Sequence, residues 1–221
     1  MNHDDLLERI LRAPVYDVAV ETPLDEAKLL SERLNNRVWI KREDLQPVFS
    51  FKVRGAYNKV RTLSEVERES GVIAASAGNH AQGVALAATR LGVKSKIVMP
   101  RTTPAIKIEA VRRFGGEAIL EGDAYDDAVS LAHQIEEEEG RIFVHAYDDL
   151  DVIAGQGTVA MEILRQHRGT LDAIFVPVGG GGLVAGVVAY VKKISPGTRV
   201  IGVEPTDAAC LAAALEQDQR V

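Results

Sequence analysis

The sequence has very little cysteine, few aromatic residues and no excess of basic residues. Of its 221 residues only Cys210 is a cysteine, which excludes an intramolecular disulfide framework and indicates a reducing compartment. The formal net charge of −6 offers no basic stripe for a nucleic-acid backbone. No spacing of Cys and His is typical of a metal site, so we predict no metal. A diffusible metabolite is therefore the more natural partner.

No apolar run in the sequence reaches the roughly 20 residues that a helix needs to cross a bilayer. The first five residues, Met-Asn-His-Asp-Asp, are acidic, unlike the basic start of a secretory signal. Apolar residues make up 46% of the chain and charged residues 26%, so a sizeable core can form in one large domain or two modest ones. We expect a soluble, cytoplasmic protein that binds neither membrane nor nucleic acid.

Short β-branched runs alternate with alanine-rich segments after residue 52, which predicts an α/β fold of parallel sheets flanked by helices. The first run has predicted strands 72–75, 95–99, 117–120 and 141–144, and predicted helices 55–63, 79–91, 104–114 and 125–138. The second run has strands 173–178 and 199–203, and helices 152–166, 183–193 and 208–215. Before residue 52 we expect helices 4–11 and 25–34 and a strand at 38–40.

The second run is too short to complete a sheet of normal width. Its two strands, even with the strand at 38–40 as a third, leave apolar surface uncovered. We therefore expect that the chain is a fragment or that a partner supplies the missing strands.

The stretch from Pro47 to Ala56 places Lys52 after two aromatic residues and just before a predicted helix. A lysine in apolar surroundings disfavours its charged form, so its pKa falls and its free amine becomes available for Schiff-base chemistry with a carbonyl. Taken alone, the pattern more often describes a surface lysine whose ammonium reaches water. Lys52 is nevertheless the candidate for carrying a covalent cofactor.

Two strand-to-helix joints are candidate ligand sites, because open α/β sheets bind ligands outside the carboxyl ends of their strands. At Ser76–His80, backbone N–H groups and a hydroxyl suit a carboxylate or phosphate, although Ser76 or Asn79 could simply cap the helix. His80 is expected to be a packed or capping histidine rather than a base. At Gly179–Leu183, four consecutive glycines favour a backbone wrapped around a phosphate.

The same glycines leave a nicotinamide enzyme as an alternative. Gly180, Gly182 and Ala185 fit a dinucleotide fingerprint, and Glu204 ends the next strand where a ribose-binding acid would stand. A phosphate cradle, an anion-binding joint and a lysine are together what a pyridoxal-phosphate enzyme acting on an amino acid requires. Because a nicotinamide enzyme has no stated use for Lys52, the set favours pyridoxal phosphate.

Two further features are open to structural interpretations. Asp148, Asp149 and Asp151 are expected to form a loop and to cap the helix that follows. Gly155 and Gly157 inside that helix each cost roughly 1 kcal/mol relative to alanine. They therefore indicate close packing or a ligand beneath the helix.

Four motifs at these positions are Ser50-Phe51-Lys52-Val53-Arg54-Gly55, Ser76-Ala77-Gly78-Asn79-His80-Ala81-Gln82-Gly83, Ala154-Gly155-Gln156-Gly157-Thr158 and Gly179–Leu183. Together they resemble the threonine dehydratase (threonine deaminase) family, whose fold is that of tryptophan synthase β. The resemblance runs over essentially the whole chain, and residues 12–16, 41–44 and 46–47 resemble the biosynthetic, isoleucine-pathway branch.

The resemblance implies a small lobe at residues 46–145, inserted in a larger, incomplete lobe made of 1–45 and 146–221, with pyridoxal 5'-phosphate between them. Lys52 would hold the cofactor through a Schiff base and act as the catalytic base. The residues implied to bind the cofactor are Lys52, Phe51, Asn79, Gly179, Gly180, Gly181, Gly182 and Leu183. Those implied to bind the substrate carboxylate are Ser76, Ala77, Gly78 and His80.

The activity that the resemblance implies is β-elimination from L-threonine to 2-oxobutanoate and ammonia, by an enzyme that is a homo-oligomer at full length. Alternatives are an L-serine dehydratase or serine racemase of the same fold, an NAD-dependent oxidoreductase, and a cofactor-binding fragment without turnover. The family's residue facing the pyridine nitrogen would lie beyond residue 221. We therefore expect the 221-residue chain alone to be unstable or weakly active.

Overall fold

A four-stranded parallel sheet is the largest sheet in the computed structural model, which describes residues 3–219. The strands are β1 (Leu24–Glu26), β2 (Trp39–Lys41), β3 (Val72–Ala75), β4 (Ser95–Met99), β5 (Glu117–Leu120), β6 (Ile142–Phe143), β7 (Ala173–Pro177) and β8 (Arg199–Val203). The helices are α1 (His3–Arg12), α2 (Lys28–Leu34), α3 (Lys52–Thr62), α4 (Glu65–Ser70), α5 (Asn79–Arg90), α6 (Ala105–Arg113), α7 (Tyr125–Glu139), α8 (Leu150–Gln166), α9 (Gly182–Ile194) and α10 (Cys210–Gln217).

The four-stranded sheet has the strand order β5-β4-β3-β6, and every neighbouring pair is parallel. β3 is buried along its whole length: Val72 and Ala74 belong to one core cluster, and Ile73 and Ala75 belong to another. Alternate residues of a strand face opposite sides, so both faces of the sheet are covered, which explains its continuous apolar sequence. The predicted α/β class with parallel sheets and flanking helices is confirmed, and β3, β4 and β5 have their predicted bounds.

The region before residue 52 differs from its prediction. β1 and β2 pair antiparallel as a separate two-stranded sheet, with Asp25 opposite Ile40. The helix predicted from residue 25 therefore begins only at Lys28, and the strand predicted at 38–40 does not widen the later sheet. Pro23 disfavours helix for the residue before it, and pairing with β2 keeps the next residues extended.

The helix after Phe51 also differs from its prediction. α3 begins at Lys52, three residues earlier than expected, so the lysine occupies the first turn. A short helix, α4, was not predicted, although its start carries the capping-box pattern of a serine followed three residues later by a glutamate. The Ser64 hydroxyl accepts a hydrogen bond from the Glu67 N–H, and the Glu67 carboxylate accepts one from the Ser64 N–H.

The second run forms a parallel pair, β7 and β8, joined by α9. α1, α8 and α9 bury a separate core with the inner side of this pair, built around Ile10, Val176 and Val187. Phe175 on β7 is 67% exposed. Among residues 3–219, no helix is both long enough and apolar enough to span a membrane.

Glycines let α8 pack closely against its neighbours. A Cβ at Gly155 would lie 2.6 Å from the Arg54 carbonyl oxygen and 2.7 Å from the Gly55 Cα, both on α3. A Cβ at Gly157 would lie 2.6 Å from Ile10 on α1. These distances are far below van der Waals contact, so the close packing predicted for Gly155 and Gly157 is confirmed, and it fixes the start of α3 against α8.

A buried cluster of charged residues also joins α3 to α8. This charged core consists of Arg54, Glu162, Lys41, Glu43 and Tyr16. The Arg54 guanidinium lies 2.6 Å from Glu162 and 2.8 Å from Glu43, and the Lys41 ammonium lies 2.5 Å from Glu162. Two cations thus balance two carboxylates. Nothing in the sequence analysis predicted this cluster.

The pKa values in the charged core follow the pairing. Burial alone would raise the pKa of Glu162, but its hydrogen bonds and charge interaction with Arg54, together with Lys41 and Tyr16, lower it. Burial would lower the pKa of Arg54, but Glu43 and Glu162 raise it. Burial and the Glu162 hydrogen bond raise the pKa of Tyr16 to about 12. Glu162, Arg54 and Tyr16 are therefore held in the protonation states that complete the network.

Candidate active site

A cavity of about 240 Å³ lies where the start of α3 meets the joint between β7 and α9. It is lined by Phe51, Lys52, Tyr147, Pro177, Val178, Gly179, Gly180, Gly181, Gly182 and Leu183. The lysine and the glycine-rich joint, far apart in sequence, therefore face one space. That space lies beyond the carboxyl end of β7, the edge at which parallel sheets bind ligands.

Lys52 has a mostly buried amine with a neutral partner. Its Nζ donates a hydrogen bond to the Ala146 carbonyl oxygen at 2.7 Å and lies 5.5 Å from the centre of the Phe51 ring. Burial lowers the pKa of Lys52, because a charged ammonium loses its hydration there. A larger share of the amine is therefore unprotonated and nucleophilic at neutral pH than in an exposed lysine.

The glycine loop, residues Gly179–Gly182, connects β7 to the first turn of α9. Gly181 is the N-cap residue with a φ of +89°, a left-handed conformation that favours glycine. Added Cβ atoms at Gly179 and Gly181 would meet only open space. At Gly180 an added Cβ would overlap the Tyr147 ring, and at Gly182 it would lie 2.7 Å from the Tyr147 carbonyl oxygen. Two glycines thus leave room for a ligand and two make room for Tyr147.

The joint at Ser76–His80 starts α5 without a side-chain cap. The helix begins at Asn79, Gly78 is the N-cap residue, and no side chain accepts from its first turn. The Ser76 hydroxyl instead accepts a hydrogen bond from the Gly78 N–H at 3.2 Å. The alternative that Ser76 or Asn79 caps the helix is therefore wrong, and the first N–H groups of α5 suit an anion.

His80 is a packed histidine. Its Nε2 lies 2.8 Å from the Val144 carbonyl oxygen, which can only accept, so Nε2 carries the proton. Nδ1 is buried and has no hydrogen-bond partner. Burial, together with the charges of Lys52 and His145, lowers the pKa of His80 to about 4, although the hydrogen bond to Val144 opposes the shift. The side chain is therefore neutral near pH 7 and is 4% exposed, which matches the predicted packed role.

The family of pyridoxal-phosphate dependent enzymes matches residues 15–221. The chain belongs to this family. It is 58% identical over 217 residues to the chloroplastic biosynthetic threonine dehydratase 1 of Solanum lycopersicum, covering 98% of this chain and 36% of that protein. It is 57% identical over 224 residues to the biosynthetic L-threonine dehydratase IlvA of Burkholderia multivorans, covering 100% and 44%. The chain thus spans less than half the length of these two relatives.

Solved structures in the same family have the same fold. The processed form of threonine deaminase isoform 2 from Solanum lycopersicum matches with a TM-score of 0.97 and 52% identity, over 99% of this chain and 64% of that one. Maize serine racemase matches with a TM-score of 0.93 and 32% identity, over 97% and 66%. The predicted family, fold class and cofactor are therefore confirmed.

The cavity of this pyridoxal-phosphate dependent enzyme fits the cofactor of its family. A phosphate needs several N–H donors and close approach of the backbone, and the open sides of Gly179 and Gly181 at the start of α9 offer both. An aldehyde needs an unprotonated amine, and the buried Lys52 amine faces the same cavity. Asn79 and Ser76–Gly78 do not line this cavity; they lie at the start of α5, which packs against the start of α3 at Gly83.

A connecting segment that was not predicted from the sequence, residues 144–148, contacts all three parts of the site. Its Val144 carbonyl binds His80, its Ala146 carbonyl binds Lys52, and Tyr147 lies on the glycine loop. The segment follows the carboxyl end of β6. The rule that selected the other two joints would have found it, had it been applied to every strand of the sheet.

Glu204 has a structural role in this enzyme. Its two carboxylate oxygens accept hydrogen bonds from the backbone N–H groups of Leu211 and Ala212, at 2.8 Å and 3.0 Å, at the start of α10. A carboxylate held at a helix start is not available to a ribose. The family and this geometry together overturn the nicotinamide alternative.

Proposed function

We propose that the full-length protein carrying this chain is a threonine dehydratase, an ammonia-lyase that converts L-threonine to 2-oxobutanoate and ammonia. The observation that carries the proposal is the buried Lys52 amine, which faces the same cavity as the glycine loop and has only a neutral carbonyl as its hydrogen-bond partner. The names of the Solanum and Burkholderia relatives support threonine as the substrate. The isoleucine-pathway role is part of this proposal.

The chain's own residues would hold the cofactor and the substrate. Lys52 would bind the aldehyde carbon, with Phe51 beside it, and Gly179–Leu183 would bind the phosphate through backbone N–H groups. Asn79 would bind the ring hydroxyl. Ser76, Ala77, Gly78 and His80 would surround the substrate carboxylate through the uncapped start of α5, with the backbone of His80 rather than its buried ring facing the ligand.

Pyridoxal phosphate, when bound, accepts the electron pair that is left when an amino acid loses its α-proton. Lys52 Nζ would take that proton, because burial lowers its pKa and so raises the share of the amine that is unprotonated. The Ala146 carbonyl then provides an acceptor that orients the resulting ammonium. Loss of the β-hydroxyl as water and uptake of one water balance the conversion of threonine to 2-oxobutanoate and ammonia.

The test is to add pyridoxal phosphate to the full-length protein, reduce with borohydride and locate the modified residue by mass spectrometry. We expect label on Lys52 alone. Lys41 is the sharpest control among the buried lysines, because it is paired with Glu162 at 2.5 Å and should remain unlabelled. Label on Lys41 or Lys107 in place of Lys52 would overturn the assignment.

A second candidate activity is that of a serine racemase or an L-serine dehydratase, which the 32% identity to maize serine racemase favours. Incubation with L-threonine and with L-serine separates the candidates. 2-Oxobutanoate from threonine supports the first proposal, pyruvate from serine supports a serine dehydratase, and D-serine supports a racemase. A labelled protein that forms none of these would be a cofactor-binding fragment without turnover.

We also propose the two-lobe division at residues 45/46 and 145/146, a homo-oligomer and a cytoplasmic location. The division is supported by the four-stranded sheet, whose strands all lie within residues 46–145. Limited proteolysis that cuts near residues 45 and 145 would support it. Light scattering of the full-length protein tests the oligomer, and fractionation of cells tests the location.

A further inference from the structure

Tyr147 lies closer to the glycine loop than would be possible if Gly180 and Gly182 carried side chains. A Cβ at Gly180 would overlap the Tyr147 ring atoms Cγ, Cδ1 and Cε1. A Cβ at Gly182 would lie 2.7 Å from the Tyr147 carbonyl oxygen and 2.9 Å from its Cα. The tyrosine backbone and ring therefore lie directly on the peptide groups of the loop. Tyr147 also lines the cavity beside Lys52.

The connecting segment holds Tyr147 in place from both sides. Before it, the buried Val144 donates its N–H to the Ile73 carbonyl and accepts from His80. After it, Asp149 caps α8 by accepting from the Asp151 and Val152 N–H groups, and pairs with the Lys59 ammonium at 2.7 Å. The predicted capping role of Asp149 is confirmed by the same bonds.

Within the segment, His145 orders the backbone of Tyr147. His145 Nδ1 accepts hydrogen bonds from the Tyr147 N–H at 3.2 Å and the Asp148 N–H at 2.8 Å. The two rings meet edge to face, with their centres 4.6 Å apart. An aromatic ring fixed at its backbone and at its edge is a rigid surface for a flexible loop to pack on.

We propose that Tyr147 is a positioning residue for the phosphate of the cofactor. Its ring packs on Gly180 and its backbone packs on Gly182, so that the open sides of Gly179 and Gly181 stay turned toward the cavity that the Lys52 amine faces. This inference rests on the proposed function. It predicts that Tyr147 affects the affinity for ligands that carry a phosphate and does not affect the affinity for pyridoxal, which has the same ring without a phosphate.

The test compares binding of pyridoxal phosphate and of pyridoxal, which lacks the phosphate, to the full-length protein. The ratio of their dissociation constants isolates recognition of the phosphate. In Tyr147→Ala we expect this ratio to fall roughly ten- to hundredfold, the size of effect that a misplaced positioning group has. Tyr147→Phe keeps the ring and should restore most of the ratio. Tyr125→Ala, which truncates a half-exposed tyrosine that does not line the cavity, is the matched control.

A second pair of variants tests the contact itself. Gly180→Ala should lose phosphate selectivity because its methyl group overlaps the ring, and Tyr147→Ala should partly restore it in the double variant, since the space is then vacant. Thermal melting of each variant shows whether it is folded.

Three results would overturn the inference: equal losses for both ligands in folded Tyr147→Ala, a loss in Tyr147→Phe as large as in Tyr147→Ala, or no recovery in the double variant. Failure of the proposed function is a different result, since the wild-type protein would then carry no label on Lys52.

Discussion

Helix α3 carries two buried cations only two residues apart, and their surroundings are opposite. The Arg54 guanidinium is completely buried and bonded to the carboxylates of Glu43 and Glu162. The Lys52 amine faces a cavity and bonds to a neutral carbonyl. Carboxylates raise the pKa of Arg54 against the effect of burial, whereas burial alone lowers the pKa of Lys52. The partners of a buried cation, rather than its burial, therefore separate a structural charge from a reactive amine.

The largest effect is expected on threonine turnover, when Lys52, the reactive cation of α3, is replaced. Lys52→Ala removes both the attachment point and the proposed base, so threonine turnover should fall by at least about 10³-fold. The melting temperature should stay close to that of the wild type or rise, because a poorly hydrated amine is lost. Lys52→Arg is the matched control, since it keeps a positive charge but cannot form a Schiff base. Turnover in Lys52→Ala near the wild-type value would contradict the assignment.

Replacing Arg54, the structural cation of α3, should reduce the stability of the fold. Arg54→Met leaves Glu162 with Lys41 and Tyr16 but removes one of its two cations, so the free energy of unfolding should fall by about 3 to 5 kcal/mol. Urea denaturation measures it. Lys52→Met, a matched substitution two residues away, should lower the free energy of unfolding by less than about 1 kcal/mol or raise it, because it leaves no carboxylate unpaired. Equal losses in the two variants would remove the distinction between the two cations.

His80 is also buried without a carboxylate partner, and it should make the stability of the fold depend on pH. Its pKa of about 4 in the folded protein lies below its usual value of 6.5, so the unfolded chain binds the proton more readily. Stability should therefore fall as the pH falls from 6.5 to 4, by about 3 kcal/mol at most from this residue.

The measurement is urea unfolding of the wild type and of His80→Gln at pH 7 and at pH 4.5. Gln can still donate to the Val144 carbonyl but does not titrate. The wild type should lose more stability than the variant between the two pH values. An equal loss would mean that carboxylates such as Glu162, whose lowered pKa acts in the same direction, account for all of it.

The regular part of this fold could be predicted from the sequence. Where the prediction was wrong, the reason is physical. β3 and β4, which are mostly buried, have their predicted bounds because a strand covered on both faces has a nearly continuous apolar sequence. β5 and β8 also have their predicted bounds, although they are more exposed. Asp25 and Glu26 were predicted to lie in a helix, but their strand pairs antiparallel with Ile40 and Trp39, 15 and 13 positions later, a contact that the local pattern does not reveal.

Parts of the site depend on contacts that no local pattern contains. Lys52 and the glycine loop were found because each has a chemical signature of its own. Tyr147 and Arg54 were missed because their roles arise only when distant segments meet, at Gly180 in one case and at Glu162 in the other. His80 was rightly expected to be packed, but its unpartnered Nδ1 follows only from the fold.

Glycines offer a smaller test of the same contrast between packing and binding. Gly155→Ala would push a methyl group against the Arg54 carbonyl at 2.6 Å and should cost about 1 to 3 kcal/mol in unfolding. Gly179→Ala points a methyl group into open space and should change stability by about 1 kcal/mol or less, in the stabilising direction. Its effect should be on pyridoxal-phosphate affinity. Unchanged affinity in a folded Gly179→Ala would argue against phosphate at this loop.

The smallest expected effect tests the carboxylate that a dinucleotide site would have used. Glu204→Gln keeps one acceptor oxygen at the start of α10 and removes the charge that stabilises the helix N-terminus, so unfolding should become easier by about 0.3 to 1 kcal/mol. Pyridoxal-phosphate binding should be unaffected, because Glu204 does not line the cavity. Glu216→Gln, at the far end of the same helix, is the matched control, and there loss of a negative charge should be neutral or slightly stabilising. If Glu204→Gln weakened cofactor binding and left stability unchanged, this carboxylate would belong to the ligand site and the separation between structural and reactive charges would fail there.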